Sequence, residues 1–298
     1  MNKNLLSIII VTFNNHEHIT ECLNSLTRIR MNHEIIIIDN HSTDLTISNI
    51  RIFLHKNPSF TATLITNTFN RGYARAVNQG ITKSKGKFLC LLGSDCLIEQ
   101  DTLEYLADFL NRNPDTGLVA PRLIDHSGDI HASCRRLPTM ADTLFELSGL
   151  PRLLPRTIKP AWKKVDHDLC SAKEVQQPEA SCLMTHREAM KTIGLMDERF
   201  PIFFNDVDWC RRFLGNGYKI MYLPQVKVVH FKGGSIYKNR IPMIWKSHQG
   251  FYRYFLKYAK NRRQKFFIHS LGFLLIYTAA VRSFVYLLNE PFQKKERK

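Results

Sequence analysis

Uninterrupted apolar runs recur through the first hundred residues and constrain the fold more than any other feature of the sequence. A strand with one wet face alternates apolar and polar residues, whereas a strand covered on both faces does not. The runs therefore predict buried strands inside a layered domain. They are LLSIIIVTF (5–13), HEIIIIDN (33–40), ATLITN (62–67) and KFLCLLGSD (87–95).

Amphipathic segments lie between these runs. Residues 16–29 and 72–86 carry apolar side chains three or four positions apart, which is the spacing of one helix face. Strands that alternate with helices are typical of a parallel sheet. We therefore predict an α/β fold with a mostly parallel central sheet.

Polar side chains stand where the predicted strands end. In open α/β sheets the carboxyl ends of the strands face the ligand crevice, so residues far apart in sequence meet there. We expect this crevice to be lined by Thr12, Asn14, Asp39, Ser94 and Asp95.

The C-terminal segment carries most of the positive charge. Residues 231–298 hold 15 Lys and Arg against two acids, which leaves +13 of the chain's +16. Such a segment suits a polyanion, either nucleic acid or an anionic membrane surface. The apolar run 266–288 within it is atypical of nucleic-acid arms, so we predict the membrane surface and no nucleic acid.

The apolar run is close to the length that crosses a bilayer, but Arg282 would be costly at mid-depth. We expect residues 236–298 to form a basic amphipathic helical tail, peripheral or monotopic, with 257–265 against anionic headgroups. A C-terminal helix docked on its own domain is the alternative.

The stretch FFNDVDWCRRFLGNGY, residues 203–218, places Asp206 and Asp208 ahead of a short predicted helix. By itself the pattern fits acids that cap a helix or face its dipole, and we retain that interpretation for Asp208. Carboxylates at strand ends and loops, joined by His230, also suit Mg²⁺ or Mn²⁺ with a nucleoside diphosphate. The chain lacks GxxxxGK[ST], and no GxGxxG follows the first run, so phosphate-loop and dinucleotide readings lack their main evidence.

An ordered series of motifs resembles the family 2 inverting glycosyltransferases of the GT-A fold, and within them the rhamnosyltransferase-like members of bacterial surface polysaccharide synthesis. The resemblance implies a GT-A domain over 1–235, with 138–178 as an acceptor-side excursion. The motifs are SIIIVTFNN, EIIIIDNHSTD, NTFNRGYARAVNQGI, FLCLLGSD, GDIHASCRRLPT and GLMDERFPIFFNDVDWCRRFLGNGYKIMYLPQVKVVHFKGGS.

The resemblance implies roles for individual residues. Asp206 matches the general base of inverting members, and Asp95 and His230 match residues that hold a divalent cation, Mg²⁺ or Mn²⁺, at the donor diphosphate. The residues implied to contact substrate are Thr12, Asn14, Asp39, Asn70, Gly72, Asn78, Ser94, Arg211 and Arg212.

The implied activity is transfer of a sugar, with L-rhamnose from dTDP-rhamnose as the suggested donor, to a lipid-linked saccharide at the cytoplasmic face of the cell membrane. Two positions depart from the family pattern: the triplet that is often Asn-Pro-Asp reads Gly93-Ser94-Asp95, and Asn205 replaces the glutamate before the base. A catalytically degenerate GT-A scaffold in a polysaccharide assembly complex is therefore one alternative, and an RNA-binding protein with a basic tail is another.

Overall fold

A computed structural model describes residues 5–147, 170–231 and 240–295. Its strands are β1 Leu6–Thr12, β2 His33–Asp39, β3 Ala62–Thr66, β4 Phe88–Gly93, β5 Cys96–Ile98, β6 Thr116–Ile124, β7 Cys134–Arg135, β8 Lys173–Glu174, β9 Gln177–Pro178, β10 Cys182–His186 and β11 Lys219–His230. Its helices are α1 Ile19–Leu26, α2 Thr46–Lys56, α3 Tyr73–Lys83, α4 Thr102–Arg112, α5 Met140–Leu147, α6 Arg187–Ile193, α7 Asn205–Gly215, α8 Arg240–Lys257 and α9 Arg262–Lys295.

The four apolar runs form the parallel half of the central sheet, in the order β3-β2-β1-β4. Alternate residues of β1 enter separate cores on the two faces of this sheet: Ile8 and Ile10 pack on one side, and Ile9 packs on the other. Because both faces are covered, every position of such a strand favours an apolar side chain. The predicted α/β fold with a mostly parallel sheet is confirmed.

The other half of the sheet is mixed, and this arrangement positions the site. Strand β10 lies antiparallel between β4 and β6, and β11 runs parallel to β6 and antiparallel to the short β5. The amide of Gly93 donates to the carbonyl of Ser181 at 2.8 Å. The start of β10 is thereby held against the carboxyl end of β4.

Helices α8 and α9 form a hairpin that packs against α5 and the segment leading into α7. The shared core includes Phe200, Phe204, Tyr254, Ile268 and Leu271. One face of α9 is therefore docked on the protein, as the alternative interpretation of the tail expects. Residues 148–169 of the predicted excursion, 232–235 at the end of the predicted GT-A domain, and 236–239 and 296–298 of the predicted tail lie outside the described part of the chain.

The opposite face of α9 is apolar and exposed. Residues Arg262–Leu288 are long and apolar enough to cross a membrane by length and composition, and an 18-residue window within them has a mean hydropathy of 1.8. The core helix of a soluble protein can also meet these criteria, but only 22% of this segment's apolar window is buried. The large apolar side chains on this face that are more than half exposed include Phe266, Phe273, Ile276, Tyr277 and Phe284.

Candidate active site

Two buried polar groups at the carboxyl ends of β1 and β2 stand side by side. Thr12 is opposite Asp39 in the parallel ladder, and both side chains are almost fully buried. One oxygen of Asp39 accepts the amide of Ser42 at 2.9 Å. Within the described ranges, Asp39 Oδ1 and Thr12 Oγ1 have no hydrogen-bond partner. Because buried polar atoms are nearly always satisfied, these two oxygens are suited to receive ligand donors.

A network of asparagine side chains holds the surrounding loops. Asn14 has a left-handed backbone with φ +50°, and its side-chain oxygen accepts the amide of Thr43 at 2.8 Å. Asn40 Nδ2 donates to Asn70 Oδ1 at 3.0 Å, and the same oxygen accepts the amide of Gly72 at 2.9 Å. These contacts bring Asn14 and Asn70 to the strand-end edge. They also show that both side chains shape loops.

Ser94 joins this edge from β4. Its hydroxyl accepts a hydrogen bond from Asn15 Nδ2 at 2.8 Å, which links the loop after β1 to the loop after β4. The predicted crevice therefore forms at the ends of three strands that are separated in sequence.

Gly72 and Asn78 connect α3 to the segment before α7. Gly72 has φ +82°, and a Cβ there would lie 2.7 Å from Pro201 Cβ, so a larger residue does not fit. Asn78 is buried, and its amide group bonds the carbonyl and the N–H of Met196, each at 2.9 Å, and Glu198 at 3.3 Å. The structure thus places the Asn78 side chain in a contact between elements, with both of its polar atoms engaged.

Asp95 and His230 meet because β5 pairs antiparallel with β11, which puts His230 opposite Cys96. His230 Nε2 lies 3.5 Å from Asp95 Oδ2. Candidate ligand atoms of Asp95, Cys96 and His230 all lie within 4.8 Å of one another. Burial raises the pKa of the Cys96 thiol, and the charge of Asp95 raises it further, so the carboxylate and the imidazole are the better ligands for Mg²⁺ or Mn²⁺.

Gly93, the first residue of the Gly93-Ser94-Asp95 triplet, lies where a side chain would collide with its neighbours. A Cβ on Gly93 would lie 2.9 Å from Asp95 Oδ1 and 3.1 Å from Cys96 Sγ. The Asp95 carboxylate thus folds back over Gly93, and a side chain there would displace it. The departure from Asn-Pro-Asp is compatible with a working Asp95.

Glu179 supplies a second carboxylate that sequence reasoning missed. Glu179 Oε1 lies 3.8 Å from His230 Nδ1 and accepts the hydroxyl of Ser181 at 3.2 Å. The acid stands three residues before β10, whose antiparallel direction brings its start to the carboxyl edge of the parallel strands. The available signal was an acid just ahead of the apolar run CLM (182–184).

Asp206 stands in the first turn of α7. Its two oxygens accept Gln177 Nε2 and the amide of Val207, each at 2.9 Å. Burial raises the pKa of Asp206 and the negative charge of Glu179 raises it further, while the Val207 amide and the charge of Arg135 lower it. Glu179 therefore acts electrostatically on Asp206 and lies beside His230 of the Asp95–His230 pair.

Tyr73, the first residue of α3, connects the two acids. Burial raises the pKa of its phenol, and the negative charges of Asp206 and Asp95 both raise it further. The phenol is thus within electrostatic reach of both carboxylates. Asp206 also accepts Gln177 Nε2 from β9, so its contacts are not confined to its own helix terminus.

Asp208 differs from the sequence prediction. Its side chain is fully buried, and no side chain caps α7, whose N-cap position is Phe204. Asp208 instead accepts Arg212 Nε at 3.0 Å and Lys257 Nζ at 2.5 Å. Asp208 does stand in the first turn of α7, as the dipole interpretation expects, but the capping prediction is wrong because cations from the same helix and from α8 bind the carboxylate.

The arginines that follow are engaged away from the Asp95–His230 pair. Arg211 donates to Tyr254 Oη at 3.0 Å, and its guanidinium lies 3.8 Å from the ring centre of Tyr258. Besides Asp208, Arg212 binds the carbonyl of Ile193 at 2.6 Å. Both arginines thus tie α7 to neighbouring elements.

Comparison with solved structures identifies the architecture. The mannosyltransferase PcManGT of Pyrobaculum calidifontis, in complex with GDP-Man and Mn²⁺, superposes with a TM-score of 0.58 at 18% identity, over 95% of this chain and 75% of that chain. The fold is therefore that of a GT-A glycosyltransferase, as predicted. The glycosyl transferase family 2 model matches residues 7–168, and the chain belongs to this family.

Two relatives illustrate the family context. The N-acetylglucosaminyl-diphospho-decaprenol L-rhamnosyltransferase of Mycobacterium tuberculosis is 24% identical over 83% of this chain and 83% of its own length. The low-salt glycan biosynthesis hexosyltransferase Agl10 of Haloferax volcanii is 25% identical over 76% of this chain and 66% of its own length. The predicted similarity to rhamnosyltransferase-like family members is thereby confirmed.

Proposed function

We propose that the protein is an inverting, metal-dependent glycosyltransferase whose general base is Asp206. One observation carries the proposal: Glu179 lies 3.8 Å from His230 Nδ1, His230 Nε2 lies 3.5 Å from Asp95 Oδ2, and the charge of Glu179 also raises the pKa of Asp206. Transfer with inversion needs a carboxylate for the acceptor and a separate site for the departing nucleotide. Asp206 is suited to the first task and the Asp95–His230 pair to the second.

A sugar hydroxyl is a poor nucleophile, and a positioned carboxylate that accepts its proton contributes about 10²–10⁴ in rate. Asp206 performs this step, with its carboxylate oriented by the amide of Gln177. A cation held by Asp95 and His230 would supply stabilisation for the negative charge of the leaving diphosphate. A single displacement, with the acceptor on the face opposite the nucleotide, inverts the anomeric carbon.

The nucleotide lies at the ends of β1 and β2 in this proposal. The unpartnered oxygens of Asp39 and Thr12 accept its donor groups, while Asn14, Asn70, Gly72 and Ser94 shape the enclosing loops. The family resemblance implies substrate contact for Asn78, Arg211 and Arg212, but they act as positioning residues because protein groups already engage them.

For the substrates, we propose L-rhamnose from dTDP-rhamnose and a lipid-linked saccharide acceptor in surface polysaccharide synthesis. The support is the Mycobacterium tuberculosis relative, whose name describes a rhamnosyltransferase acting on a diphospho-decaprenol acceptor. A screen of nucleotide sugars, with and without Mn²⁺, tests the donor. Metal-dependent turnover of dTDP-rhamnose is expected, and turnover of a different sugar alone would overturn the choice of rhamnose.

The exposed face of α9 supports a site of action at the membrane, which we place at the cytoplasmic face. Phe273 and Phe284, 76% and 62% exposed, project from this face. Replacing both with glutamate should lower binding to anionic liposomes by about 10²-fold or more, because each phenylalanine contributes roughly 1.5–3 kcal/mol on burial. Flotation of the full chain measures the change.

Ile52→Glu is the matched control, since Ile52 is 52% exposed on a helix of the catalytic domain. That variant should float like the wild type. Equal flotation of the double glutamate variant and the wild type would remove α9 as the membrane contact. Salt-sensitive RNA retention with no flotation would favour the RNA-binding alternative.

The raised pKa of Asp206 predicts the pH dependence of transfer. A base works only when deprotonated, so kcat should fall as the pH drops through this pKa, at a higher pH than for an exposed aspartate. Arg135→Gln removes a charge that lowers the pKa, so the acidic limb should move to still higher pH. Arg136→Gln, at the exposed neighbouring position, should leave the limb unchanged. An acidic limb that is unmoved by Arg135→Gln would contradict the assignment.

A further inference from the structure

Asp206 and Asp208 lie on opposite sides of the first turn of α7. Residues two positions apart on a helix are separated by roughly 200°, so the two carboxylates cannot face the same neighbour. Asp206 accepts a hydrogen bond from Gln177, whereas Asp208 is buried beneath the end of the α8–α9 hairpin. Whatever holds Asp208 therefore also fixes the rotation of α7 about its axis.

The hairpin binds Asp208 through two consecutive residues. Lys257 Nζ lies 2.5 Å from Asp208 Oδ1 and 2.7 Å from Asp197 Oδ2, so one ammonium group joins α7 to the segment that precedes it. Tyr258 Oη donates to Asp208 Oδ1 at 2.8 Å. Charge-assisted contacts to a buried carboxylate have well-defined geometry, since little water is available to replace them.

A second anchor lies on the other side of the base. Phe204 has φ +68°, a left-handed conformation that a bulky residue adopts only when its surroundings impose it. Its ring packs against Phe251 at 4.5 Å and Tyr254 at 5.5 Å between ring centres. Gly250 lets this ring approach α8, because a Cβ there would lie 2.6 Å from Phe204 Cδ2.

We propose that the α8–α9 hairpin positions the base. Lys257 fixes Asp208, and Gly250 makes room for the ring of Phe204. Phe204 and Asp208 lie on either side of Asp206 in the sequence. This inference rests on the proposed role of Asp206. Lys257 and Gly250 touch no reacting group and act only through α7. The α8–α9 hairpin, which carries the exposed apolar face of α9, is thus also a structural support for the proposed base.

The test compares Lys257→Met with Lys260→Met in the full-length protein. Both variants remove one charge from the basic segment 257–265, but Lys260 is exposed and has no recorded contact with Asp208. Lys257→Met should lower kcat for transfer by about tenfold or more, since small displacements of a catalytic group are costly, while donor KM and liposome flotation stay unchanged. Lys257→Arg, which keeps the charge, should recover most of the activity.

Gly250→Ala gives the same test without a change of charge. The added methyl group displaces Phe204, so kcat should fall again at constant KM. The control is Gly215→Ala at the end of α7, where a Cβ would meet nothing within 4 Å. Transfer within twofold of wild type in both Lys257→Met and Gly250→Ala would overturn the proposal.

Hydrogen exchange of residues 203–209 separates this inference from the proposed function. Exchange should rise in Lys257→Met and Gly250→Ala but not in the two controls. If the wild type transfers no sugar, the proposed function fails, and the exchange comparison still decides whether the hairpin holds the first turn of α7. Unchanged exchange in both test variants would show that it does not.

Discussion

Asp206→Asn should lower kcat for sugar transfer by about 10²–10⁴, with little change in donor KM, because the variant keeps the shape of the side chain but cannot take a proton. The amide oxygen of asparagine can still accept the hydrogen bond that Gln177 Nε2 donates to Asp206 at 2.9 Å. The thermal unfolding midpoint should not fall, since burial raises the pKa of this carboxyl and its charged form is therefore destabilised in the folded protein. Steady-state kinetics with saturating donor and acceptor measure the effect.

Asp108→Asn is the control for this experiment, because Asp108 forms an exposed pair with Arg112 on α4. It should retain wild-type kcat. Turnover of Asp206→Asn within a few-fold of the wild type would remove Asp206 as the base. A fall in kcat that accompanies loss of the folded state would instead assign Asp206 to stability.

Asp95→Asn should weaken Mn²⁺-dependent binding of a nucleoside diphosphate by about 100-fold or more. Even residues that only support metal ligands contribute about 10–100-fold to metal affinity, and Asp95 is the sole carboxylate of its triplet. His230 would then be left with a neutral amide at the position of the carboxylate 3.5 Å away. Calorimetric titration of the nucleotide, with Mn²⁺ and with a chelator, gives the affinity.

Glu99→Gln is the matched control, since Glu99 follows β5 directly and its side chain is exposed. Its nucleotide affinity should equal that of the wild type. Equal Mn²⁺-dependent affinity in Asp95→Asn and the wild type would exclude Asp95 as a ligand. A wild-type protein that binds no nucleoside diphosphate at millimolar concentration would favour the degenerate scaffold.

The parallel half of the fold could be predicted because its signal is local. A strand such as β1, buried on both faces, consists of a continuous apolar run. The polar residues Thr12 and Asp39 mark the ends of β1 and of its neighbour β2. Parallel pairing then places those ends together without further information. The same reasoning put Asp95 at this edge.

The pairing of Asp95 with His230 depends on contacts that pattern alone does not encode. It requires β11 to cross the sheet and run antiparallel to a three-residue strand, β5. Pattern reasoning grouped His230 with several strand-end and loop carboxylates, and the family resemblance singled out Asp95 as its partner. Glu179 was missed for a related reason, because the antiparallel insertion of β10 has no local signature.

The error at Asp208 shows where local rules give way to tertiary contacts. An acid in the first turn of a helix interacts favourably with the helix dipole, so the sequence alone supported a helix-terminus role for Asp208. Lys257 comes 49 residues later, and its approach depends on the docking of the whole hairpin. Such partners enter a prediction only once the packing of α8 is known.

The anomeric configuration of the product tests the central claim most directly. With a nucleotide sugar that the wild type consumes and its lipid-linked acceptor, NMR of the purified product reports the configuration at the transferred carbon. A single displacement assisted by Asp206 gives the configuration opposite to that of the donor. Retention of the donor configuration would contradict the account, whatever the kinetics of the variants.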